Sequence, residues 1–274
     1  MLELPEVYTL SQQLRDNVVG RTVAETLPPT KAHKFCWFCG DPGAYDGAIK
    51  GREIVGAEGF GSYVELVFAG GKRLCVNDGV HMKLMDEANA PKDYQLLIRM
   101  ADGTAIAFTV GMYGGIMLHD GMLDNEYYVK SRAYTSPFAP EFAGRFAEVL
   151  GEGKPTLSAK AVLATEQRFP GVGNGVTQDI LFAAGLHPKR KLQTLDEAAR
   201  GKLLDSVVGV LRDMTDRGGR DSEKDLFDRP GGYVTKMAKG ALTTGCPICG
   251  GEVVKEAYMG GSVYYCPHCQ PLVK

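Results

Sequence analysis

Four cysteines near the end of the chain have the spacing of a metal site. Cys246 and Cys249 form one C-x-x-C pair, Cys266 and Cys269 form a second, and sixteen residues separate the pairs. Each pair can offer two thiolates from one tight turn, and the strands between them can form a hairpin around a tetrahedral ion. Four thiolates leave no open position on zinc, so the pattern predicts one structural zinc ion that supplies folding energy.

A glycine-rich turn in the second half of the chain can bind an anion. Gly171, Gly173 and Gly175 surround Asn174, between two helical patterns. Glycines let a phosphate approach the backbone N–H groups, and the Asn174 amide adds a donor. The alternative is a helix-turn-helix corner in which the glycines serve packing only.

Two glutamates lie beside the amino terminus. Pro5 suits the first turn of a helix, and apolar residues follow at helical spacing from Val7 to Val18. Glu3 then lies in the entry segment and Glu6 in the first turn, where a carboxylate meets unpaired N–H groups and the positive end of the helix dipole. The alternative is that Glu6 is simply a favourable first-turn charge.

A separate C-x-x-C pair, Cys36 and Cys39, follows His33 in a strand-rich region. A metal or redox site would need more ligands, and Cys75 is the only other cysteine outside the tail. We therefore interpret this pair as buried strand cysteines. The total of seven cysteines and the lack of a signal-peptide pattern do not favour a disulfide framework.

The elements that must position these residues change in type along the chain. Residues 21–119 contain short strand patterns, and Asp102-Gly103 joins the last two as a tight hairpin, which predicts an antiparallel sandwich or barrel. A linker at 136–140 precedes predicted helices at 141–150, 157–168, 176–184 and 195–216. Thr194 and Glu197 are predicted to form a capping box for the last helix.

Composition excludes some classes of protein. The chain has 274 residues, 44% hydrophobic and 23% charged, which fits a globular protein with two domains. No apolar run is long enough for a membrane span, so we expect no membrane partner and a cytoplasmic location. A net charge of −2 argues against coating nucleic acid through bulk charge, so such binding must use a local patch.

Several stretches of the sequence together resemble the formamidopyrimidine-DNA glycosylase and endonuclease VIII family. They are Glu3-Leu-Pro-Glu-Val7, Pro170-Gly-Val-Gly-Asn174 with Leu181-Phe-Ala-Ala-Gly-Leu-His-Pro188, Pro230-Gly-Gly-Tyr233 and the four-cysteine tail. The resemblance implies an α+β multidomain fold, with an N-terminal helix and β-sandwich in 1–135, a helix-two-turn-helix domain in 136–240 and a zinc-finger hairpin in 241–274. It also implies a monomer that binds double-stranded DNA.

The family removes oxidised bases by flipping the damaged nucleotide out of the duplex. The N-terminal amine attacks C1′, and elimination then cleaves the abasic strand. An α-amine has a pKa near 8 and is therefore partly neutral and nucleophilic at pH 7, and a neighbouring carboxylic acid can protonate the sugar ring oxygen. By resemblance, the amino terminus, Glu3 and Glu6 are the catalytic groups. The resemblance also implies that Asn174, Lys160, Gly173 and Tyr233 contact the DNA.

The most important departure from the family is at position 2. The family exposes a proline there when the initiator methionine is removed, whereas this chain has Leu2. Methionine is normally removed only before a small residue, so we expect Met1 to stay and to displace the amine by up to about 3.5 Å of chain. The resemblance with this change predicts a glycosylase with weak or absent Schiff-base chemistry.

Three further family positions also differ. A lysine expected on a strand near the lesion aligns with Ser62, and the arginine of the zinc hairpin aligns with Gly261. The arginine-rich loop that fills the gap in the duplex aligns with 110–115, where Met112 or Tyr113 can act as a wedge. The alternatives are a catalytically silent DNA-binding relative, or a zinc-bearing protein with a different partner.

Overall fold

A computed structural model describes residues 1–273 and divides the chain into two units. The first unit, here the sandwich unit, consists of Met1–Arg132 and Gly218–Gly232. The second, the helical unit, consists of Ala133–Arg217 and the chain from Tyr233 onward. None of the helices in the described part of the chain is long and apolar enough to cross a membrane.

Helix α1, Leu4–Asn17, begins directly after Glu3, as the sequence predicts. Glu3 and Glu6 form a capping box, in which the Glu3 backbone N–H donates to Glu6 Oε2 at 3.3 Å. Two N–H groups that have no partner inside the helix are thereby satisfied. The same two carboxylates are consequently fixed at the helix entrance, close to the amino terminus.

Two sheets make up the sandwich unit. One has the strand order β1-β7-β8-β6 and the other the order β2-β9-β5-β4-β3. Their inward side chains form one apolar core, which includes residues of α1. The bounds are β1 Val23–Leu27, β2 Cys36–Phe38, α2 Tyr45–Ile49, β3 Ile54–Phe60, β4 Tyr63–Phe68, β5 Arg73–Asn77, β6 Val80–Asp86, β7 Leu96–Met100, β8 Thr104–Val110, β9 Gly114–His119 and α3 Glu126–Ala133.

The segment Gly218–Gly232 folds with the sandwich unit, although it lies within the range 136–240 predicted for the second domain. Leu226 is fully buried in the sandwich core, and the Leu84 N–H donates to the Leu226 carbonyl at 2.9 Å. Gln13 of α1 donates to Asp225 Oδ2 at 3.0 Å. Both the apolar and the polar groups of the segment therefore have their partners in this unit.

The outer face of the five-stranded sheet holds a buried charge network. Val64 and Leu66 of β4 face the core, so Glu65 faces the opposite side, where it is fully buried. Arg73 Nη1 lies 2.5 Å from Glu65 Oε1, and Arg132 also pairs with that oxygen. The second carboxylate oxygen accepts the Tyr128 hydroxyl at 2.7 Å and lies 3.2 Å from Nε2 of His119.

The helical unit contains four longer helices, a short helix and one hairpin. The bounds are α4 Phe142–Glu152, α5 Ala159–Ala164, α6 Asn174–Ala184, α7 Glu197–Asp216, α8 Ala241–Thr244, β10 Val254–Tyr258 and β11 Gly261–Tyr265. Helix α5 ends four residues before the predicted end at Arg168, because Glu166 and Gln167 have positive φ angles. The predicted Thr194 cap of α7 is wrong, since Asp196 is the N-cap and accepts from the Ala199 N–H at 2.8 Å.

Candidate active site

The amino terminus is tied to the segment Gly218–Gly232. The Met1 ammonium nitrogen lies 2.5 Å from Glu223 Oε2, and both side chains are partly exposed. Leu2 is only 7% exposed and belongs to the apolar core, and its backbone N–H donates to the Asp78 carbonyl at 2.6 Å. The nitrogen of residue 2 is therefore an amide engaged with the backbone, and the free amine sits one residue further out.

Arg220 joins the two glutamates of the helix entrance. Its Nη2 lies 2.7 Å from Glu6 Oε2, its Nε donates to Glu6 Oε1 at 3.0 Å, and its Nη1 lies 3.4 Å from Glu3 Oε2. All three side chains are at least 95% buried. Burial alone would lower the pKa of Arg220, but the charges of Glu3 and Glu6 raise that pKa above its usual value. The arrangement therefore pairs one buried guanidinium with two buried carboxylates.

A cavity of about 340 Å³ opens at the amine. Its size falls in the usual range of small-molecule sites, and groups of both charge signs surround it. Burial lowers the pKa of His81, one of the lining residues, which favours a neutral imidazole at pH 7. The lining residues are Met1, Leu2, Glu6, Leu10, Gly79, Val80, His81, Thr109, Val110, Gly111, Ser222, Glu223 and Lys224.

The predicted wedge residues lie beside this cavity. Val110 and Gly111 line the cavity, and the chain then turns through Met112 and Tyr113 before β9 begins. Met112 is 68% exposed, and the Tyr113 hydroxyl lies 3.6 Å from the Met1 sulfur. Ser62, at the position of the family lysine, is largely buried and offers no amine.

The predicted phosphate ligands of the helical unit both reach the β10–β11 hairpin. Lys160 is 2% exposed, and its Nζ donates to the Tyr258 carbonyl at 2.7 Å. Desolvation by burial lowers the pKa of Lys160. Asn174, the first residue of α6, donates to the Ser262 carbonyl at 3.4 Å. These two residues therefore support the two sides of the hairpin turn.

The two other predicted DNA-contacting residues have different environments. Gly173 is the N-cap of α6 and keeps its backbone at the entrance to that helix. Tyr233 is only 2% exposed and lies beside Asp179, whose carboxylate accepts the backbone N–H groups of Lys236 and Met237 at 2.9 and 2.7 Å. The aromatic ring of Tyr233 therefore has little free surface for a ligand.

The four cysteines of the tail form a candidate metal centre. Their sulfur atoms all lie within 4.8 Å of one another. Cys246 and Cys269 have their sulfurs 3.8 Å apart, and Cys249 and Cys266 have theirs 3.5 Å apart. Tetrahedral bonds of about 2.3 Å require sulfur separations of about 3.8 Å, so the donor set fits zinc.

The interpretation of Cys36 and Cys39 as buried strand cysteines is wrong for Cys39. Cys39 follows the end of β2 and is exposed, whereas Cys36 is half-buried in the strand. Strand β2 is only three residues long, because Gly40 takes a positive φ angle directly after Cys39. Cys75 is buried in β5.

Comparison with known proteins identifies the family that the chain resembles. A model of the formamidopyrimidine-DNA glycosylase N-terminal domain matches residues 1–122. A formamidopyrimidine-DNA glycosylase from Halorhodospira halophila is 27% identical over 98% of this chain and 100% of its own. One from Mycobacteroides abscessus is 28% identical over 100% of this chain and 99% of its own. The chain is therefore similar to formamidopyrimidine-DNA glycosylases, in its first 122 residues by the family model and over nearly its whole length by these relatives.

Solved structures with the same fold as this chain include two proteins of the Fpg type. The Lactococcus lactis Fpg in complex with DNA containing an abasic site superposes with a TM-score of 0.82 at 23% identity, covering 98% of this chain and 99% of that one. The MutM (Fpg) protein of Thermus thermophilus gives a TM-score of 0.80 at 22% identity, covering 99% of this chain and 100% of that one. The predicted fold class is thereby confirmed.

Two residues of the candidate site were not found from sequence. Arg220 and Glu223 engage the helix-entrance carboxylates and the amine, but they lie more than 200 residues away along the chain. The available signal was a dense run of charges, Arg220 to Lys224, directly after Gly218-Gly219 at the end of a helix. Such a run predicts a polar loop without indicating its partner.

Proposed function

We propose that this protein is a DNA glycosylase of base excision repair that releases damaged, oxidised bases from double-stranded DNA. We further propose that it cleaves the resulting abasic strand weakly or not at all. The observation that carries the proposal is the cavity at the Met1 amine, which Glu6 also lines and beside which Arg220 pairs with both Glu3 and Glu6. The relatives' names support base release as the reaction.

Base release requires water to replace the base on the sugar. The water oxygen bonds to C1′, the bond from C1′ to the base nitrogen breaks, and the base leaves with a proton. A carboxyl group can accept a proton from the attacking water or donate one to the sugar ring oxygen. Glu3 takes this role in the proposal because it lies at the helix entrance beside the amino terminus.

Strand cleavage of the family type requires a covalent imine between an amine and C1′. In this chain the residue 2 nitrogen is an amide, and an amide nitrogen is a poor nucleophile. The Met1 amine is primary, lies one residue out of the family register and pairs with Glu223. These features support slow imine formation, which in turn limits elimination.

The DNA-binding surface and the zinc ion belong to the same proposal. Asn174 and Lys160, with the Gly173 backbone, would hold phosphates near the hairpin turn, while Met112 or Tyr113 would enter the gap left by a flipped nucleotide. Tyr233, which is buried, would support this surface through packing and would not contact the DNA itself. Zinc on the four cysteines would fix the hairpin against α6, since Gln178 of α6 also donates to the Ser262 carbonyl at 2.9 Å.

The test is base release from a panel of duplexes that carry different oxidised bases. We expect release of at least one base by the wild type, and a loss of about 100-fold or more in the Glu3→Gln variant. Borohydride trapping on the same duplexes should give little covalent adduct. Undiminished release by Glu3→Gln would remove Glu3 from the mechanism, and rapid stoichiometric trapping would overturn the weak-cleavage proposal.

A second candidate function is a silent DNA-binding relative. The observation in its favour is that Arg220 and Glu223 already engage Glu3, Glu6 and the amine. Tight binding to the duplex panel without release of any base would favour this function over the glycosylase.

A further inference from the structure

A cluster of exposed aromatic side chains lies outside the groups used so far. Phe35, which directly precedes β2, is 48% exposed, and Trp37, on the outward face of β2, is 53% exposed. Cys36 and Phe38, on the opposite face, pack against the sandwich core. An outward strand face usually carries polar residues, so two large aromatic rings at these positions call for an explanation.

The local backbone leaves the rings open to solvent. Strand β2 is at the edge of its sheet and pairs only with β9. The pairing places Trp37 opposite Gly115 and Cys36 opposite Gly114, and glycines have no side chains to cover a neighbouring ring. The Phe35 carbonyl accepts the Gly114 N–H at 3.0 Å, which fixes the strand beside the loop that precedes β9.

The cluster is continuous with the candidate active site. The ring centroids of Trp37 and Tyr113 are 6.4 Å apart, and the Tyr113 hydroxyl lies 3.6 Å from the Met1 sulfur. Met112, 68% exposed, is the next residue along that loop, and Gly111 lines the cavity itself. Aromatic surface therefore extends from the edge of the cavity to the edge of the sheet.

Positive charge accompanies the rings. The Lys34 ammonium lies 5.3 Å from the centroid of the Phe35 ring, and His33 and Lys31 precede it in the sequence. Lys31 pairs with Asp93, whereas Lys34 is exposed beside the rings. Aromatic faces for bases with cations for phosphates are the combination by which proteins bind single-stranded nucleic acid.

We propose that Phe35, Trp37 and Tyr113 form a stacking platform for unpaired nucleobases of DNA, next to the cavity that receives the damaged nucleotide. The position of this platform next to the lesion depends on the proposed function, in which the cavity receives the damaged nucleotide. Its occupant is a base that has lost its pairing partner when a nucleotide leaves the duplex, and Lys34 lies close enough to the rings to meet the adjoining phosphate. A second copy of the chain and a protein partner are the competing occupants.

The chain provides its own probe, because Trp37 is the only tryptophan. Fluorescence is measured while the protein is titrated with a duplex carrying a stable abasic-site analogue, an intact duplex of the same sequence and the corresponding single strand. We expect the abasic duplex and the single strand to quench Trp37 emission and to reduce its accessibility to acrylamide. The intact duplex should do so much less.

Affinity for fluorescently labelled DNA is measured in parallel with variants. Phe35→Ala and Trp37→Ala should each weaken binding of the abasic duplex by between about fivefold and 100-fold, the range expected for loss of one stacked base. Trp37→Phe should recover most of the affinity. Val55→Ala, a change at an exposed apolar residue of β3, is the matched control and should bind as the wild type does.

The outcomes separate the platform from the proposed function. Tight binding of the abasic duplex with unchanged Trp37 emission and accessibility would overturn the platform, even if bases are released. Quenching and loss of affinity in the variants without any base release would support the platform while removing the glycosylase. Trp37 emission that depends on protein concentration without DNA would overturn the platform in favour of a second copy, and loss of thermal stability without loss of affinity would assign the rings to folding.

Discussion

Single residues decide how the amino terminus can react. Leu2 fills a core position and its backbone N–H donates to the Asp78 carbonyl. Met1 is therefore the only residue of the amino terminus that projects from the core before α1 begins. The free amine is consequently that of a chain end held by Glu223. We therefore expect the identity of residue 2 to control whether the terminal amine can form an imine with C1′.

Leu2→Pro should increase the formation of a covalent imine between the amino terminus and DNA. Proline permits removal of Met1 and leaves a secondary amine at residue 2, which forms an iminium readily. We expect borohydride trapping on abasic duplex to rise by about tenfold or more, with loss of Met1 confirmed by mass spectrometry. Leu2→Ala is the matched control, because it also permits Met1 removal but leaves a primary amine. Equal trapping by wild type and Leu2→Pro, with Met1 removed from the variant, would contradict this expectation.

Arg220 should matter for stability as well as for the site. Its removal leaves Glu3 and Glu6 buried without their cation, a situation that typically costs about 3–5 kcal/mol. We expect Arg220→Ala to lower the free energy of unfolding of the sandwich unit by that amount, as followed by hydrogen exchange in α1. Arg217→Ala removes an exposed pair with Asp213 and should change stability much less. Similar small effects in both variants would show that the buried carboxylates find other partners.

Among the elements, the β10–β11 hairpin depends on its four cysteines. It has only five residues in each strand, and a hairpin of that size is not stable alone in water. Cys249→Ser should abolish stoichiometric zinc in elemental analysis and increase hydrogen exchange in the hairpin, while exchange in the sandwich core stays unchanged. Cys39→Ser, at an exposed cysteine outside the hairpin, should keep the zinc. Full zinc content in Cys249→Ser would refute the four-cysteine site.

The contact between β4 and α3 should be sensitive to acid. Burial alone would raise the pKa of Glu65, but contacts with His119, Tyr128 and Arg73 and the charge of Arg132 lower it from 4.5 to about 2. Because the folded-state pKa is the lower one, Glu65 stabilises the fold fully above about pH 4.5, and this contribution is lost as the pH falls through about 2.

Glu65→Gln tests this assignment through the pH dependence of stability. We expect the variant to be less stable than the wild type by roughly 3 kcal/mol at pH 7, with the difference shrinking toward zero near pH 2. Glu58→Gln, at a half-exposed carboxylate that meets the same two arginines, is the control and should cost much less. A stability difference for Glu65→Gln that does not change with pH would mean that packing, and not charge, explains its effect.

For the molecule as a whole, sequence patterns predicted what depends on neighbours along the chain. The start of α1, the strands of the sandwich, the Asp102-Gly103 hairpin and the cysteine spacing all follow from local periodicity and turn chemistry. The predicted cap of α7 failed within local rules, because Asp196, two residues after Thr194, is also a good N-cap and accepts the Ala199 N–H, so that the helix begins at Glu197. The roles of Arg220 and Glu223 could not be predicted from local patterns, because their partners lie more than 200 residues away along the chain and meet them only in the folded protein.

The discontinuous composition of the sandwich unit has a consequence for biosynthesis. Its first part ends at Arg132, but Arg220 and Leu226 are synthesised about 90 residues later, which corresponds to roughly 5–20 s of translation. During that interval Glu3 and Glu6 lack their cation and the core lacks one buried leucine. A fragment of residues 1–132 should therefore show exchange-labile α1 amides, whereas the same fragment joined through a flexible linker to 218–232 should protect them. Until residues 218–232 are made, the nascent chain thus lacks the partner of its two carboxylates and part of its apolar core. We expect binding of a chaperone to exposed apolar surface to be strongest during this period.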